Sequence, residues 1–216
     1  MKRNIVIAIA RQYGSGGRTV GEMLADELGI NYYDNGLVKL ASELSGISET
    51  MFVKADENIL NGKHLLDKVK WKKNIYKGGI IPPDSDNFTS MKNLFNYQAE
   101  VIKQLAEKES CVIVGRCADF VLKDYENAIS VFVHADHDFL MEQAAKKQAV
   151  RGEELAKTIE KIDKYRSDYY EYYTGKKWTD ALNYDLCLDS GKLGFKKCVE
   201  AIKAYMKVRY GNDILD

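Results

Sequence analysis

The feature that most constrains the fold is a series of five short apolar segments separated by longer helical patterns. They span residues 5–10, 30–33, 111–114, 129–133 and 184–188. Each is only four to six residues long, which suits a buried strand better than a helix. Short apolar strands that alternate with helices are typical of a parallel sheet covered on both faces. The sequence therefore predicts an α/β fold with a five-stranded parallel sheet and helices on both faces.

Three amphipathic patterns predict the helices that cover this sheet. They occupy residues 18–28, 88–108 and 195–208, with apolar side chains three and four positions apart. Gly29 follows the first pattern directly, at the position where a helix commonly ends in a left-handed residue. We expect a single domain over residues 1–216, with insertions at about 36–87 and 136–180.

Composition argues against several classes of function. Lys and Arg together number 32, and so do Asp and Glu, so no net charge attracts nucleic acid or an anionic membrane surface. The apolar run at residues 5–10 has six residues, which is too short for a signal peptide or for the roughly 20 residues of a membrane span. We therefore expect no membrane association, and the sequence gives no signal for an oligomeric state.

The cysteines favour a reducing compartment. They are Cys111, Cys117, Cys187 and Cys198. No two of them have the C-x-x-C spacing of a zinc or thioredoxin-like motif. Cys111 and Cys187 fall in apolar strand-like segments, which predicts buried, reduced thiols and a cytoplasmic protein.

A glycine-rich loop, residues 11–19, joins the first predicted strand to the first predicted helix. Glycines allow positive φ and a close approach of the backbone to an anion. Their N–H groups, together with the positive end of the following helix, form a phosphate cradle. A plain glycine-rich turn is the alternative, but three glycines and two arginines within this loop favour phosphate binding.

The loop departs from the usual G-x-x-x-x-G-K-[ST] pattern, and two registers are open. In one, Gly17-Arg18-Thr19 stands for G-K-T, with Gln12 in place of the first glycine. In the other, Gly14-Ser15-Gly16 precedes the lysine position, which Gly17 then occupies. The lysine is absent in both. Arg18 would supply its charge as a planar fork rather than as a flexible ammonium group.

Four further segments share a pattern with one group of proteins. The stretch from Gly14 to Asp34-Asn35-Gly36 aligns without a gap with G-x-G-K-x-T through D-S-G. Residues 111–119 are similar to a third strand followed by Gly-Arg-Asp, and Leu188-Asp189-Ser190 precedes a closing helix. Residues 172–187 contain Tyr-Tyr-Thr-Gly and Tyr-Asp-Leu-Cys. The chain thus resembles the cytidylate kinase-like P-loop proteins, relatives of bacterial CMP kinases, and the match favours the register with Gly17 at the lysine position.

This resemblance implies a transferase of the P-loop NTPase fold that moves a phosphoryl group from ATP to a nucleoside monophosphate with Mg²⁺. CMP and dCMP would be the favoured acceptors, so small-molecule nucleotides are the expected partners. Thr19 would help to hold Mg²⁺. The ATP phosphates would be held by Gly14, Ser15, Gly16, Gly17, Arg18 and Thr19.

The resemblance also implies an acceptor site and a lid. The acceptor residues would be Asp34, Asn35, Lys39, Gly115, Arg116 and Asp119. Arg116 would grip the acceptor phosphate; a structural ion pair with Asp34 or Asp119 is the alternative. The catalytic cations would be Arg18, Arg116, Lys161, Lys164 and Arg166.

The lid cations have a plainer interpretation as well. Lys161 and Lys164 share one helical face, from which Arg166 is rotated away. A solvated charged helix is therefore an open alternative. The tyrosines of the same region favour helix packing over a base pocket; they are Tyr165, Tyr169, Tyr170, Tyr172 and Tyr173.

Departures from the family pattern leave the function open. Val114 stands where CMP kinases have an acid, Cys117 where they have aspartate, and Asn35 and Leu40 where they have serine and arginine. A P-loop protein that binds nucleotide without turnover, and a kinase for another small acceptor, therefore remain alternatives. Six lysines near two aromatic residues within residues 63–77 would also suit single-stranded nucleic acid, although a solvated flap explains them better.

Overall fold

The computed structural model describes residues 4–60 and 76–212. Its sheet contains five strands in the order β2-β3-β1-β4-β5, and every neighbouring pair is parallel. The strands are β1 Val6–Arg11, β2 Asn31–Tyr33, β3 Cys111–Val114, β4 Ala128–His134 and β5 Leu186–Asp189. The predicted fold class is confirmed, and each strand lies within two residues of its predicted segment.

Helices cover both faces of the sheet. They are α1 Gly17–Leu28, α2 Gly36–Ser45, α3 Glu49–Leu60, α4 Met91–Lys108, α5 Ala118–Val121, α6 His137–Ala145, α7 Gly152–Thr174 and α8 Ser190–Tyr210. Successive side chains of β1 point to opposite faces. Ile7 and Ile9 join a cluster with residues of α1 and α8, whereas Val6 and Ala8 join a cluster with residues of α2, α4 and α7.

Helix ends follow local chemistry. Gly29 has φ of +63° and caps α1 as predicted. The next predicted helix begins three residues late, at Met91, because the Ser90 hydroxyl accepts the Asn93 N–H and caps the helix there. The predicted insertion at 136–180 contains two helices, α6 and α7. The last helix begins early, and Gly194, with φ of +73°, kinks it.

The prediction of buried thiols is correct for Cys111 and wrong for Cys187. Cys111, Cys117 and Cys198 are buried and free, whereas Cys187 is exposed. Cys187 lies on β5, an edge strand that pairs with β4 alone and whose side chains alternate between the core and solvent.

Two further predictions, on membrane spans and on the lysine-rich stretch, can be compared with the structure only within the described residues. None of the helices within residues 4–60 and 76–212 has the length and hydrophobicity needed to cross a membrane. Most of the lysine-rich stretch, residues 63–75, for which the sequence favours a solvated flap over nucleic-acid binding, lies outside the described residues. At its end, the Tyr76 N–H donates to the carbonyl of Tyr173 over 2.8 Å.

Candidate active site

Two neighbouring cavities lie at the carboxyl ends of the strands, where open parallel sheets bind their ligands. The larger, of about 350 Å³, lies beyond β1, β2 and β3 and is covered by α7. The smaller, of about 140 Å³, lies along the glycine-rich loop between β1 and α1. The larger cavity falls within the ~300–1,000 Å³ usual for small-molecule sites.

The glycine-rich loop has the backbone of a phosphate cradle. Gly14 and Gly16 have φ of +86° and +74°, the left-handed region that favours glycine. The first helical hydrogen bond of α1 runs from the Val20 N–H to the Gly16 carbonyl over 2.9 Å. The N–H groups of the preceding first turn, including those of Arg18 and Thr19, therefore lie ahead of the helical ladder at the positive end of α1.

Ser15 holds this loop in place rather than facing the cavity. Its side chain is fully buried, and its hydroxyl donates to the Gln12 carbonyl over 2.9 Å. Its own carbonyl accepts the buried Ser190 hydroxyl over 2.7 Å. The predicted phosphate-binding residues that line the smaller cavity are Gly14, Gly16, Gly17, Arg18 and Thr19.

Three arginines line both cavities and separate them. Arg11 ends β1, Arg18 lies in the first turn of α1, and Arg166 projects from α7. The Arg166 guanidinium donates to the Arg11 carbonyl over 3.0 Å and lies 5.7 Å from the centre of the Tyr13 ring. A group that crosses from one cavity to the other therefore passes these three cations.

Two carboxylates only partly neutralise the three arginines. Asp34 pairs with the Arg18 Nε over 2.6 Å and lies 3.8 Å from the Arg11 Nη2. Asp163 pairs with Arg166 over 3.1 Å and also accepts the Tyr13 N–H over 2.7 Å. Burial, followed by the Arg166 charge, lowers the pKa of Arg11 to about 9, so Arg11 remains a cation at neutral pH. The boundary between the cavities is positively charged and suits an anion.

A strained turn after β3 presents Arg116 to the larger cavity. Gly115, Arg116 and Cys117 all have positive φ, at +82°, +55° and +53°. The Arg116 guanidinium pairs with Asp56 of α3 over 2.5 Å and lies 5.9 Å from the Tyr169 ring centre. Its carboxylate partner is thus Asp56, rather than the Asp34 or Asp119 considered from the sequence.

Aromatic side chains and a buried acid complete the larger cavity. Asp119, at the start of α5, accepts the Tyr170 hydroxyl over 2.7 Å, and burial raises its pKa to about 6. Tyr165, Tyr169 and Tyr170 line the cavity, as does Trp178. The tyrosines of α7 therefore supply part of the pocket wall.

Packing still accounts for the other tyrosines of this helix. Tyr173 stacks on Phe95 with ring centres 4.0 Å apart and planes within 8° of each other. Tyr172 is also buried and lies outside both cavities. One helix thus serves both the core and the pocket.

The structure brings most of the predicted acceptor and lid residues together, and leaves three at a distance. Lys39, Lys161 and Lys164 are exposed and line neither cavity. Lys39 faces Glu43, and Lys164 pairs with Asp168 over 2.7 Å. Arg166, which the helical spacing rotates away from the two lysines, is the lid cation that enters the site. The catalytic role of Lys161 and Lys164 stays a prediction.

The profile of the cytidylate kinase-like family matches residues 6–192, most of the chain. The chain belongs to the cytidylate kinase-like family. Its family membership and its P-loop kinase fold together support a phosphotransfer kinase. No functionally curated protein matches the chain.

Solved structures show the same fold. A crystal structure of an uncharacterized protein from Eubacterium ventriosum is 28% identical, covers 94% of this chain and 99% of its own, and has a TM-score of 0.65. Shikimate kinase from Bacteroides thetaiotaomicron is 13% identical over 94% of this chain and 98% of its own, with a TM-score of 0.52. YorR from Bacillus subtilis, solved with phosphorylated GDP, is 12% identical, covers 96% of this chain and 98% of its own, and has a TM-score of 0.50.

The glycine-rich loop suits phosphate groups, and the predicted Mg²⁺-holding residue lies at its end. Thr19 lines the smaller cavity, where its hydroxyl could join phosphate oxygens and water around Mg²⁺. Residues 4–60 and 76–212 contain no cluster of three or more His, Cys, Asp or Glu side chains suited to a metal ion. Val114, at the position of the family acid, is buried in the core.

The sequence places Arg11 in the predicted phosphate loop without giving it a role of its own, and it does not indicate Asp56 at all. Arg11 carries a signal, because a charged residue at the end of an apolar strand lies at the edge of the sheet where ligands bind. Asp56 carries none. It lies on an ordinary amphipathic helix, and only the tertiary fold brings it to Arg116, sixty residues away.

Proposed function

We propose that this chain transfers the γ-phosphoryl group of ATP to a nucleoside monophosphate, with CMP or dCMP as the favoured acceptor. One observation carries the proposal: Arg11, Arg18 and Arg166 form the shared wall of a phosphate-loop cavity and a larger, partly aromatic cavity. Phosphoryl transfer requires two phosphates held in line and the stabilisation of negative charge spread between them. Cations at the boundary between two pockets meet both requirements.

The smaller cavity would hold the ATP phosphates. The first-turn N–H groups of α1 and the Arg18 side chain would bind their oxygens. Mg²⁺, held by the Thr19 hydroxyl and the phosphates, would add neutralising charge. Arg166 would act on the transferred group from the α7 side, where Asp163 orients it. Lys161 and Lys164 would join the site only through a movement of α7.

The larger cavity would hold the acceptor. Arg116 would bind the acceptor phosphate, with Asp56 fixing the guanidinium. A phosphate oxygen of the acceptor attacks the γ-phosphorus, the bond from phosphorus to the β,γ-bridging oxygen breaks, and ADP leaves with that electron pair. The rings of Tyr165, Tyr169 and Trp178 favour an acceptor with a flat base over a small aliphatic hydroxyl compound. The preference for cytosine rests on the family resemblance alone.

A nucleotide-binding protein without turnover is the second candidate. Two features favour it: Val114 replaces the family acid, and Gly17 replaces the loop lysine. The loss of several contacts made only in the transition state would reduce transfer while leaving binding intact.

A coupled ADP-release assay separates these functions. The protein receives ATP and Mg²⁺ with CMP, dCMP, UMP, AMP or GMP, and shikimate serves as an acceptor of another class. We expect ADP release that depends on CMP or dCMP, and a fall of at least tenfold in Arg116→Ala. Arg209→Ala is the matched control, since Arg209 lines neither cavity. Binding of ATP with no release for any acceptor would refute the proposed nucleoside monophosphate kinase, and would favour the binding protein or a kinase for an acceptor outside this panel.

A further inference from the structure

We propose that Arg11 takes the place of the lysine that this phosphate loop lacks, and binds the phosphoryl group that passes between the two cavities. This inference rests on the proposed function, whose donor and acceptor would occupy those cavities. It assigns a substrate-contacting role to the last residue of β1, where the glycine-rich loop begins.

The first argument is steric. Gly17 occupies the lysine position, and a Cβ there would collide with the Cβ of Arg11 and lie 3.0 Å from its Cγ. Gly17 begins α1 and is absent from the positive-φ glycines, so its backbone does not demand glycine. The space that a lysine side chain would need at its base is filled by Arg11. Arg11, at the end of β1, would therefore supply the positive charge in place of the missing lysine.

A second glycine makes room for the other end of the same side chain. A Cβ on Gly115 would lie 2.5 Å from the Arg11 Nη1 and 3.3 Å from its Cζ. Gly115 follows β3, the strand that pairs with β1. The Arg11 side chain thus runs between the turn of β3 and the first turn of α1, and both turns carry glycine where it passes.

The third argument is an incomplete set of partners. The Arg11 side chain is only 14% exposed, and its Nε is buried with no hydrogen-bond partner among the described residues. Its carboxylate neighbour, Asp34, lies 3.8 Å from Nη2 and is already engaged by Arg18 at 2.6 Å. Because a buried donor without an acceptor destabilises the fold, Arg11 is held at a cost that a bound anion would offset.

The other two arginines are better satisfied. Arg18 is 46% exposed and pairs closely with Asp34. Arg166 donates both to Asp163 and to the Arg11 carbonyl. Arg11 therefore combines the deepest burial of the three side chains with the weakest neutralisation. A buried guanidinium that lacks a full set of acceptors can bind phosphate oxygens through two parallel N–H donors.

Binding measurements without turnover test this role. Isothermal titration compares the wild-type protein with Arg11→Met and Arg11→Gln, using a non-hydrolysable ATP analogue, AMP and CMP. We expect both variants to bind the ATP analogue at least tenfold more weakly, and AMP less than twofold more weakly. Arg209→Met, an arginine outside both cavities, should bind all three ligands as the wild type does. Far-ultraviolet circular dichroism verifies that each variant is folded, and Arg11→Gln, with a shorter polar chain, serves if Arg11→Met does not fold.

The outcomes separate this inference from the proposed function. Unchanged affinity of the variants for the ATP analogue would overturn the role of Arg11, even if the wild type transfers phosphate to CMP. An equal loss for AMP and for the analogue would also overturn it, because the contact would then not be to the terminal phosphates. Weaker analogue binding in a protein that shows no transfer to CMP would support Arg11 as a phosphate ligand and refute the proposed nucleoside monophosphate kinase.

Discussion

The buried carboxyl of Asp119 gives the sharpest quantitative test of the structure. It lies in the wall of the larger cavity, where burial raises its pKa to about 6, while the Tyr170 hydroxyl and two backbone N–H groups oppose the shift. In the unfolded chain an aspartate has a pKa of about 3.9. Between these two values the native protein binds more protons at this site than the unfolded chain does.

The sign of the pH dependence follows from that difference. Because the folded pKa is raised, the free energy of unfolding falls as pH rises from about 4 to about 6, and the loss is complete above that range. A shift of about 2 units, at 1.36 kcal/mol each, corresponds to roughly 3 kcal/mol at pH 7. Asp119→Asn keeps an oxygen that accepts from Tyr170 and removes the titration. We therefore expect the free energy of unfolding of Asp119→Asn, relative to that of the wild type, to rise by up to about 3 kcal/mol between pH 4 and pH 7.

Urea denaturation of both proteins at several pH values measures the difference. The remaining acids titrate in both proteins, so subtraction isolates the contribution of Asp119. Asp84→Asn, on an exposed loop, gives the baseline for losing one surface carboxylate. A difference between wild type and Asp119→Asn that stays constant to about 0.5 kcal/mol across this range would refute a raised pKa.

Three further expectations concern exposure and hydrogen bonding. Cys187 should react with a thiol reagent in the native protein well before the three buried cysteines, as counted by mass spectrometry of the intact chain. Asn93→Ala removes a buried side chain that bonds both the N–H and the carbonyl of Ile81, and should lower the free energy of unfolding by about 2 kcal/mol in urea titration. Asp163→Ala leaves the Tyr13 N–H without its acceptor, so hydrogen exchange of that amide should accelerate at least tenfold; unchanged exchange would show that α7 does not hold the loop.

The parts of the fold that the sequence predicted are those that local pattern controls. Central strands such as Cys111–Val114 are buried on both faces, so their apolar runs mark them almost to the residue. Gly29 allowed the end of α1 to be predicted, because its left-handed conformation disfavours most other residues. At the edge strand the same reasoning failed for Cys187, since only one neighbour and one face of that strand are covered.

The site could be predicted only as far as its motif extends. The loop and Arg116 follow from sequence pattern, and both lie at the carboxyl edge of the sheet. The choice of Arg166 over the nearby lysines depends on how α7 docks, which helical spacing alone does not specify. The pairing of Arg116 with Asp56 joins segments that are distant in sequence, so no local rule indicates it.

The Arg11 side chain, at the end of β1, fills the space that a side chain on Gly17 of the phosphate loop would need. Gly17→Ala adds a Cβ that meets Arg11, and overpacking of this kind costs ~1–3 kcal/mol. In an Arg11→Gly background the nearest remaining atom is the Val133 Cβ at 3.4 Å, so the same change should be neutral or stabilise the helix by up to ~1 kcal/mol. Urea titration of the four proteins in this double-mutant cycle should therefore give a coupling free energy of at least about 1 kcal/mol. Additive effects, to within ~0.5 kcal/mol, would mean that Gly17 is not small on account of Arg11.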